Sequence, residues 1–296
     1  MSALGPISAV TIAAPELQHM IDSYQLYLGY ELVEHGKVTP QLAALWNRPG
    51  LAGRRFALML PEGEGRTFLR FVESKPAAGY QPFRHMGWNA AEIMVQDTDA
   101  VAARLVESPF RIIGPPADLS FSDKIRAMQA LGPAHEGIYL TSFKEKIPEF
   151  DVPEADRFVD RVFIVILGGA AISGMNEFYR RQFAAPVAPV MTAVISVISQ
   201  AHGLPPDSKH SLAAIQLAGQ CYIEADEMPA GTLPRVAEGD ELPAAISMVS
   251  FEVAQLPDGE LPFLAPAQVL PHAPYYGRKA AVCTGAAGEL IELIES

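Results

Sequence analysis

The chain has 296 residues, of which 49% are hydrophobic and 19% charged, and it carries a formal net charge of −12. This acidic excess would repel a phosphate backbone, so we expect no nucleic-acid partner. No apolar run reaches the roughly 18 residues of a membrane span, and residues 1–6 lack the basic region of a signal peptide, so we expect a cytoplasmic protein without membrane contact.

The first 74 residues read as one β-α-β-β-β unit. Residues 7–12 favour a strand, and Pro15 begins an apolar pattern at helical spacing that Gly29 ends. Alternating residues in 30–33, 55–60 and 67–72 predict three further strands.

A second unit of the same order follows. Strands are predicted at 88–95, 112–113, 125–131 and 137–142, with a helix over 97–106 that Asp97 caps. The stretch 147–156 contains prolines and acidic residues, and it is the best domain boundary in the sequence.

The second half of the chain starts the pattern again. Strands are predicted at 162–166, 212–217 and 220–225, with helices over 173–183 and from about 190 to Gly203. In the last unit a strand at 246–253 is followed by a proline-rich loop in place of the helix, and then by two C-terminal strands.

An internal echo supports this fourfold repetition. Residues 132–140 and 285–293 both begin with glycine, carry glutamate at the fifth position and end in a short apolar strand. We therefore divide the chain into units 6–74, 86–143, 158–227 and 244–296, with an N-terminal domain at 1–146, a linker at 147–156 and a C-terminal domain at 157–296.

These features resemble the vicinal oxygen chelate superfamily of glyoxalase I, bleomycin-resistance proteins and type I extradiol dioxygenases. The resemblance rests on the opening strand 9–12, the helix end with Tyr24, Leu28, Gly29 and Tyr30, and the terminal segment 288–293. It implies an α+β fold of four βαβββ units in two tandem cupped half-barrel domains. Unit one would pair with unit two, and unit three with unit four.

In metal-dependent members of that superfamily, the ligands come from the first and last strands of paired units. Carried over by this resemblance, those positions fall at Ala9, Arg70, Ala91 and Tyr139 or Thr141 in the first pair, and at Arg161, Glu224, Met248 and Glu292 in the second. None is a histidine, and an arginine that cannot deprotonate competes with a divalent ion. We therefore predict no metal and no other cofactor; Fe, Mn, Ni or Zn would be expected if a metal were bound.

The charged residues at these positions suggest a replacement for the metal. We hypothesise that Arg161 pairs with Glu224, Glu292 or both and binds a carboxylate, carbonyl or phenolate of the substrate. The carboxylate beside it would act as a general acid or base. A structural ion pair without chemistry is the alternative.

Further candidates surround the two expected cavities. His210 could carry protons at the mouth of the second cavity or lie on the surface. The loop 271–277, with His272, Tyr275 and Tyr276, could form an aromatic lid or an ordinary turn. Met248 would also contact the substrate there. Arg70, Tyr139 and Trp88 would line the first cavity, which the resemblance makes the less favoured of the two.

These residues predict a metal-independent enzyme, a lyase, isomerase or hydrolase, acting on a small aromatic or carbonyl compound. A binding protein that sequesters a small molecule is an alternative. A dioxygenase or glyoxalase with relocated metal ligands is another. The exposed sheet edges leave a homodimer open.

Overall fold

A computed structural model describes residues 4–63, 65–147, 151–235, 237–257 and 261–296. Its strands are β1 (Leu4–Ala14), β2 (Tyr30–Lys37), β3 (Arg55–Pro61), β4 (Phe68–Glu73), β5 (Gly87–Val95), β6 (Arg111–Leu119), β7 (Ser122–Leu131), β8 (Gly137–Phe143), β9 (Val159–Gly169), β10 (Met191–Val194), β11 (Lys209–Leu217), β12 (Cys221–Glu227), β13 (Ile246–Val253), β14 (Gln268–Val269), β15 (Lys279–Thr284) and β16 (Leu290–Glu295). Its helices are α1 (Leu17–Leu28), α2 (Pro40–Leu45), α3 (Thr98–Leu105), α4 (Ile172–Phe183) and α5 (Ser196–His202).

The strands form two sheets of eight strands each. The first sheet has the order β14-β15-β16-β13-β1-β4-β3-β2, and the second β10-β11-β12-β9-β5-β8-β7-β6. The expected α+β architecture of repeated units in two curled sheets is therefore confirmed.

The pairing of the units differs from the expectation. Unit one joins unit four where β1 runs antiparallel to β13, and unit two joins unit three where β5 runs antiparallel to β9. The expected pairing of unit one with unit two and of unit three with unit four is therefore wrong. The alternation of residues within a strand decides which face is buried, but not which edge strand lies beside it.

The main hydrophobic core lies between the two sheets and beneath the helices α1, α3 and α4. Val10, Phe71 and Ile291 enter it from the first sheet, and Ile93 and Ile223 from the second. Because side chains alternate along a strand, the neighbouring residues point to the opposite face. Each sheet therefore has a second face, which forms a cup with a smaller apolar cluster of its own.

Consecutive units are joined by a repeated contact between a helix and a turn. The hydroxyl of Tyr24 in α1 donates to Glu136 at 2.8 Å, and the hydroxyl of Tyr179 in α4 donates to Glu289 at 3.0 Å. Each carboxyl also accepts a backbone N–H in its own turn. These two glutamates occupy the same position of the sequence echo, so the repetition reproduces a buried hydrogen bond as well as a strand.

The apolar stretch after position 190 is only partly helical. Its first residues form the short strand β10, and α5 then runs to His202, where Gly203 adopts a left-handed conformation and ends the helix. The proline-rich replacement of a helix in unit four agrees with the sequence expectation over the part of that unit that the structure describes. Residues 148–150 of the predicted linker lie outside the described residues.

Candidate functional site

Arg70 and Glu292 meet in the cup of the first sheet. Arg70 lies beside Thr11 in the β1–β4 register, and Glu292 lies beside Ser250 in the β13–β16 register. Since β1 and β13 are neighbours, these four residues face one another across the centre of the sheet. The guanidinium of Arg70 is 2.8 Å from the carboxylate of Glu292, and both side chains are buried.

Every part of this ion pair has a protein partner. The guanidinium donates to Thr11 at 2.8 Å and to the hydroxyl of Tyr275 at 2.7 Å. The carboxylate accepts from the indole of Trp46 at 2.8 Å and from the hydroxyls of Tyr275 and Ser250. A buried ion pair is stable only when its remaining hydrogen-bonding capacity is satisfied in this way.

The electrostatics of the pair follow from these contacts. Burial opposes ionisation of Glu292, but Arg70 and the three hydrogen-bond donors outweigh it and lower the pKa of the carboxyl. Burial likewise opposes the charge of Arg70, and Glu292 with Tyr275 outweighs it and raises the guanidinium pKa. Trp46 covers the guanidinium at 4.8 Å from its ring centroid. In the part of the chain that the structure describes, the polar groups at the centre of this cup are buried and bonded to one another.

Arg161 does not have the predicted role. It belongs to β9 of the second sheet, whereas Glu292 belongs to the first. The residue beside Glu224 on β9 is Ile166, five positions from Arg161, which corresponds to about 16 Å along a strand. The Arg161 side chain instead donates to the carbonyl of Gly219 at 3.3 Å, near the surface. The guanidinium expected beside Glu292 is present, but it is that of Arg70.

The cup of the second sheet contains an acidic cluster. Its members are the carboxyl groups of Glu92 on β5 and of Glu224 and Asp226 on β12, together with the hydroxyls of Tyr139 and Thr141 on β8. Thr141 donates to Glu92 at 2.6 Å. Charge on any of the three carboxyls would raise the pKa of Tyr139, so all three lie within electrostatic reach of its hydroxyl.

Burial and mutual repulsion keep protons on these groups. Burial raises the pKa of Glu92 to about 7. Burial and the charge of Glu92 raise the pKa of Glu224 to about 8. The pKa of Asp226 is also raised well above its ordinary value, by burial first and then by the other two carboxyls. Among the described residues, no basic side chain offsets these shifts.

Two polar atoms of the acidic cluster have no hydrogen-bond partner among the described residues. They are the hydroxyl of Tyr139 and Oδ1 of Asp226, whose residues are 7% and 1% exposed. Glu92 and Glu224 are only half-buried, so solvent reaches the cluster from one side. The half-exposed side of this acidic cluster, called the recess below, combines accessible carboxyls with unsatisfied buried polar atoms and therefore suits a ligand better than the filled cup of the first sheet.

The registers show that the two cups are built from equivalent positions. Glu73 lies beside Ala14, three residues before the start of α1, and Glu227 lies beside Gly169, three residues before the start of α4. Glu73 and Glu227 are therefore equivalent, and Glu224 is the counterpart of Arg70. The sequence echo makes Tyr139 the counterpart of Glu292. Glu92, which lies beside Tyr139, is then the counterpart of Ser250. The second cup therefore has a carboxyl where the first has its cation.

The other predicted residues are distributed as follows. Met248 is buried in the apolar cluster of the first cup. Trp88 lies in the main core between the sheets, where its indole donates to the carbonyl of Leu290 at 2.8 Å, so its expected place in a cavity is wrong. His210 is buried on β11, with Nε2 at 2.9 Å from the hydroxyl of Ser199, and lines a cleft of about 490 Å³.

The three candidate residues of loop 271–277 differ in their exposure to solvent. Tyr275 is buried and bonds to the Arg70–Glu292 pair, whereas Tyr276 and His272 are exposed. His272 approaches Glu34 at 3.8 Å. The loop thus covers the first cup with one aromatic side chain and is not the two-ring clamp that the sequence suggested.

Sequence reasoning missed Glu92 and Asp226. Glu92 is the one charged residue of the apolar run 88–95, and a lone carboxyl in such a strand is a usable signal. The predicted ligand position one residue earlier, Ala91, faces the main core instead. Asp226 follows Glu224 by two positions, so strand alternation places both on one face.

Comparison of the whole fold identifies its type. No protein-family model matches the sequence, and no curated protein matches it. The structure is similar to glyoxalase I from Zea mays, with a TM-score of 0.65, 13% identity, and coverage of 99% of this chain and 93% of that one. It is equally similar to a putative dioxygenase from Bacillus subtilis, with a TM-score of 0.65, 12% identity, and coverage of 100% and 86%. The chain has the vicinal oxygen chelate fold.

The metal associated with the vicinal oxygen chelate fold does not fit the residues of this chain. In the first cup the fixed cation of Arg70 lies between Thr11, Ser250 and Glu292, where a divalent ion would be repelled. In the second cup the carboxyl oxygens are suitable donors. However, no three His, Cys, Asp or Glu side chains in the described parts of the chain are grouped closely enough to hold a metal ion.

Proposed function

We propose that the protein is a metal-independent enzyme that moves a proton next to a carbonyl group of a small molecule, as an isomerase or lyase does. The recess of Glu92, Glu224, Asp226 and Tyr139 is the reaction site. The observation that carries the proposal is the pair of half-buried carboxyls, Glu92 and Glu224, in a recess that also holds unsatisfied polar atoms.

Burial raises the pKa of both carboxyls towards neutrality, and the charge of Glu92 adds to the shift of Glu224, so one carboxyl can be ionised while the other keeps its proton. With a pKa of about 7, Glu92 is partly ionised at neutral pH and can accept a proton from carbon. With a pKa of about 8, Glu224 is mostly protonated and can donate to the carbonyl oxygen. Glu92 gains one proton and Glu224 loses one, so the substrate becomes its enol without net change of charge. The reverse transfers restore the enzyme.

Tyr139 supports the same step. Its hydroxyl is buried, has no partner among the described residues, and keeps its proton because burial and three carboxyls raise its pKa. A neutral hydroxyl and a neutral carboxyl can both donate hydrogen bonds to a developing oxyanion, which is the part that a Lewis acid would otherwise supply. Ile166 and Phe83 belong to the apolar cluster beside these groups, and the Phe83 ring is stacked on Tyr139. This apolar surface suits an aromatic or other flat carbonyl compound.

Hydrogen exchange into deuterated water tests this proposal. Protein dialysed against a chelator is incubated with a panel of aryl ketones and aldehydes, and loss of the proton next to the carbonyl is followed by NMR. We expect exchange with the wild type and a fall of about 10²–10⁴-fold in Glu92→Gln and Glu224→Gln.

Glu289→Gln is the matched control, because Glu289 is a buried carboxyl whose pKa is also about 7 but which lies in a turn outside the recess. This variant should exchange like the wild type. Exchange that appears only after a metal is added back, or that survives both recess variants, would refute the proposal. Tight binding of panel members without any exchange would assign the protein to the sequestering class instead.

A further inference from the structure

The two cups can be compared position by position, because they are built from equivalent strands. Arg70 and three positions around it have counterparts in the second sheet, with Glu224 for Arg70, Ile166 for Thr11, Glu92 for Ser250 and Tyr139 for Glu292. In the first cup these positions surround a guanidinium that lies under an aromatic ring. In the second cup the protein supplies acidic and phenolic groups at these positions but no cation.

We infer that the recess of the second sheet binds a small organic cation, an ammonium or guanidinium group carried by the substrate. This inference rests on the proposed function and names the class of substrate on which that function acts. The charged group of the ligand would occupy the place that the Arg70 guanidinium occupies in the other cup.

The inference has a second support, independent of the number of carboxyls. Oδ1 of Asp226 and the hydroxyl of Tyr139 are buried acceptors with no protein donor among the described residues. Leaving such acceptors unpaired is unfavourable, and a ligand with several N–H donors would satisfy both. The rings of Tyr139 and Phe83 are stacked 6.3 Å apart in the same cluster and provide aromatic surface for a cation.

Each of the three carboxyls then has a separate role. Asp226 is the deepest, and we assign it as the counter-ion of the ligand's charge, with its proton released to solvent when the cation binds. Glu92 and Glu224 are half-buried and remain the proton acceptor and donor for the carbonyl part. A substrate that carries both an amine and a carbonyl fits all three groups.

Three probes of the same shape and different charge test the inference. Benzylamine, benzyl alcohol and benzoate are titrated into the wild-type protein at neutral pH, with calorimetry for affinity and NMR of the isoleucine methyl groups for location. We expect benzylamine to bind at least about tenfold more tightly than benzyl alcohol, and benzoate to bind most weakly. Asp226→Asn should reduce the preference for benzylamine to about twofold or less, whereas Glu289→Gln should leave it unchanged.

The outcomes separate this inference from the proposed function. If benzyl alcohol binds in the recess as tightly as benzylamine, the inference is overturned while proton exchange at Glu92 and Glu224 can still be observed. Ile164, which lies beside Glu92, and Ile166 belong to the apolar cluster of this cup. If benzylamine binds but does not shift their methyl groups, the inference is also overturned. If the wild type shows the charge preference but exchange is absent from every carbonyl tested, the cation site stands and the proposed reaction falls.

Discussion

The guanidinium of Arg70 lies 2.8 Å from the carboxylate of Glu292, although 222 positions separate the two residues in the chain. The contact exists because the first and last units share a sheet. The ion pair also fills the centre of the first cup, so we expect a ligand to bind in the second cup.

Removing the cation from this pair should be costly. In Arg70→Met the carboxylate of Glu292 stays buried without its counter-charge, and we expect a loss of about 3–5 kcal/mol in the free energy of unfolding. Urea denaturation measures it. The double variant Arg70→Met with Glu292→Leu should recover most of this loss, because two apolar side chains need no compensation. A single variant that loses less than about 1 kcal/mol would show that the pair does not stabilise the fold.

Arg161 gives the opposite prediction. Its side chain donates to the carbonyl of Gly219 near the surface, so Arg161→Met should change the free energy of unfolding by less than about 0.5 kcal/mol. It should also leave proton exchange in the recess unchanged. A loss of exchange in Arg161→Met would instead support the hypothesis from the sequence that Arg161 binds the substrate.

The comparison of Arg70 with Arg161 shows what sequence reasoning could reach. Strands, helices and the fourfold repetition follow from local periodicity, and Arg70, Glu224, Tyr139 and Glu292 were all identified as cup positions. The edge along which two units join is a long-range choice that the same alternation permits in either way. Arg70 and Glu292 were therefore assigned to different cavities.

The acidic cluster illustrates a second limit. Glu224 could be predicted because the resemblance marks its position, whereas Asp226 carries no such mark. Whether a strand carboxyl points to solvent or into a cup depends on how strongly the sheet curls and on what covers it. Here α5 lies over the cup through Val197 and Ile198, and nothing in the sequence of β12 shows this.

The repeated turns can be tested by adding one methyl group. A Cβ at Gly132 or Gly285 would lie 1.9 Å from the carboxyl of Glu136 or Glu289, so Gly132→Ala and Gly285→Ala must displace a buried, hydrogen-bonded group. We expect each to lower the free energy of unfolding by about 1–3 kcal/mol. Gly174→Ala in α4 is the control, because its added Cβ meets no heavy atom within 4 Å and should stabilise the helix by about 0.5–1 kcal/mol. Equal changes in the free energy of unfolding at all three glycines would contradict the close contacts in the two turns.

Stability should fall as the pH rises from about 5 to 8. Four carboxyls, at Glu92, Glu136, Glu224 and Glu289, have their pKa raised from 4.5 to about 7 or 8 in the folded protein. In this window the unfolded chain releases protons that the folded protein retains, so the unfolded state gains stability with increasing pH. Glu292 has a lowered pKa and acts in the opposite sense, but only below this window.

Thermal unfolding across this pH range measures the effect. Tyr179→Phe removes the hydrogen bond that favours ionised Glu289, so its destabilisation should be larger at pH 8 than at pH 5.5. Tyr24→Phe should behave in the same way through Glu136. A stability that increases steadily from pH 5 to 8 would be incompatible with buried protonated carboxyls.

The crossed pairing of units predicts how the two halves of the chain behave. Residues 1–146 contain β1 and β5, whose partners β13 and β9 both lie in residues 157–296. Expressed alone, each half would expose two long strand edges and should aggregate or stay unfolded. Expressed together, they should form a folded one-to-one complex, which size-exclusion chromatography and near-ultraviolet circular dichroism can detect. A folded monomer of residues 1–146 would contradict the crossed pairing.

The contact between Arg70 and Glu292 also has a consequence during protein synthesis. Glu292 emerges from the ribosome only after the 222 residues that follow Arg70 have been added, and β13 precedes it only shortly. Units two and three can complete their sheet earlier, because β5 and β9 are close in sequence. We therefore expect the sheet of units two and three to assemble on the nascent chain while the first unit still depends on chaperones to cover its open edge.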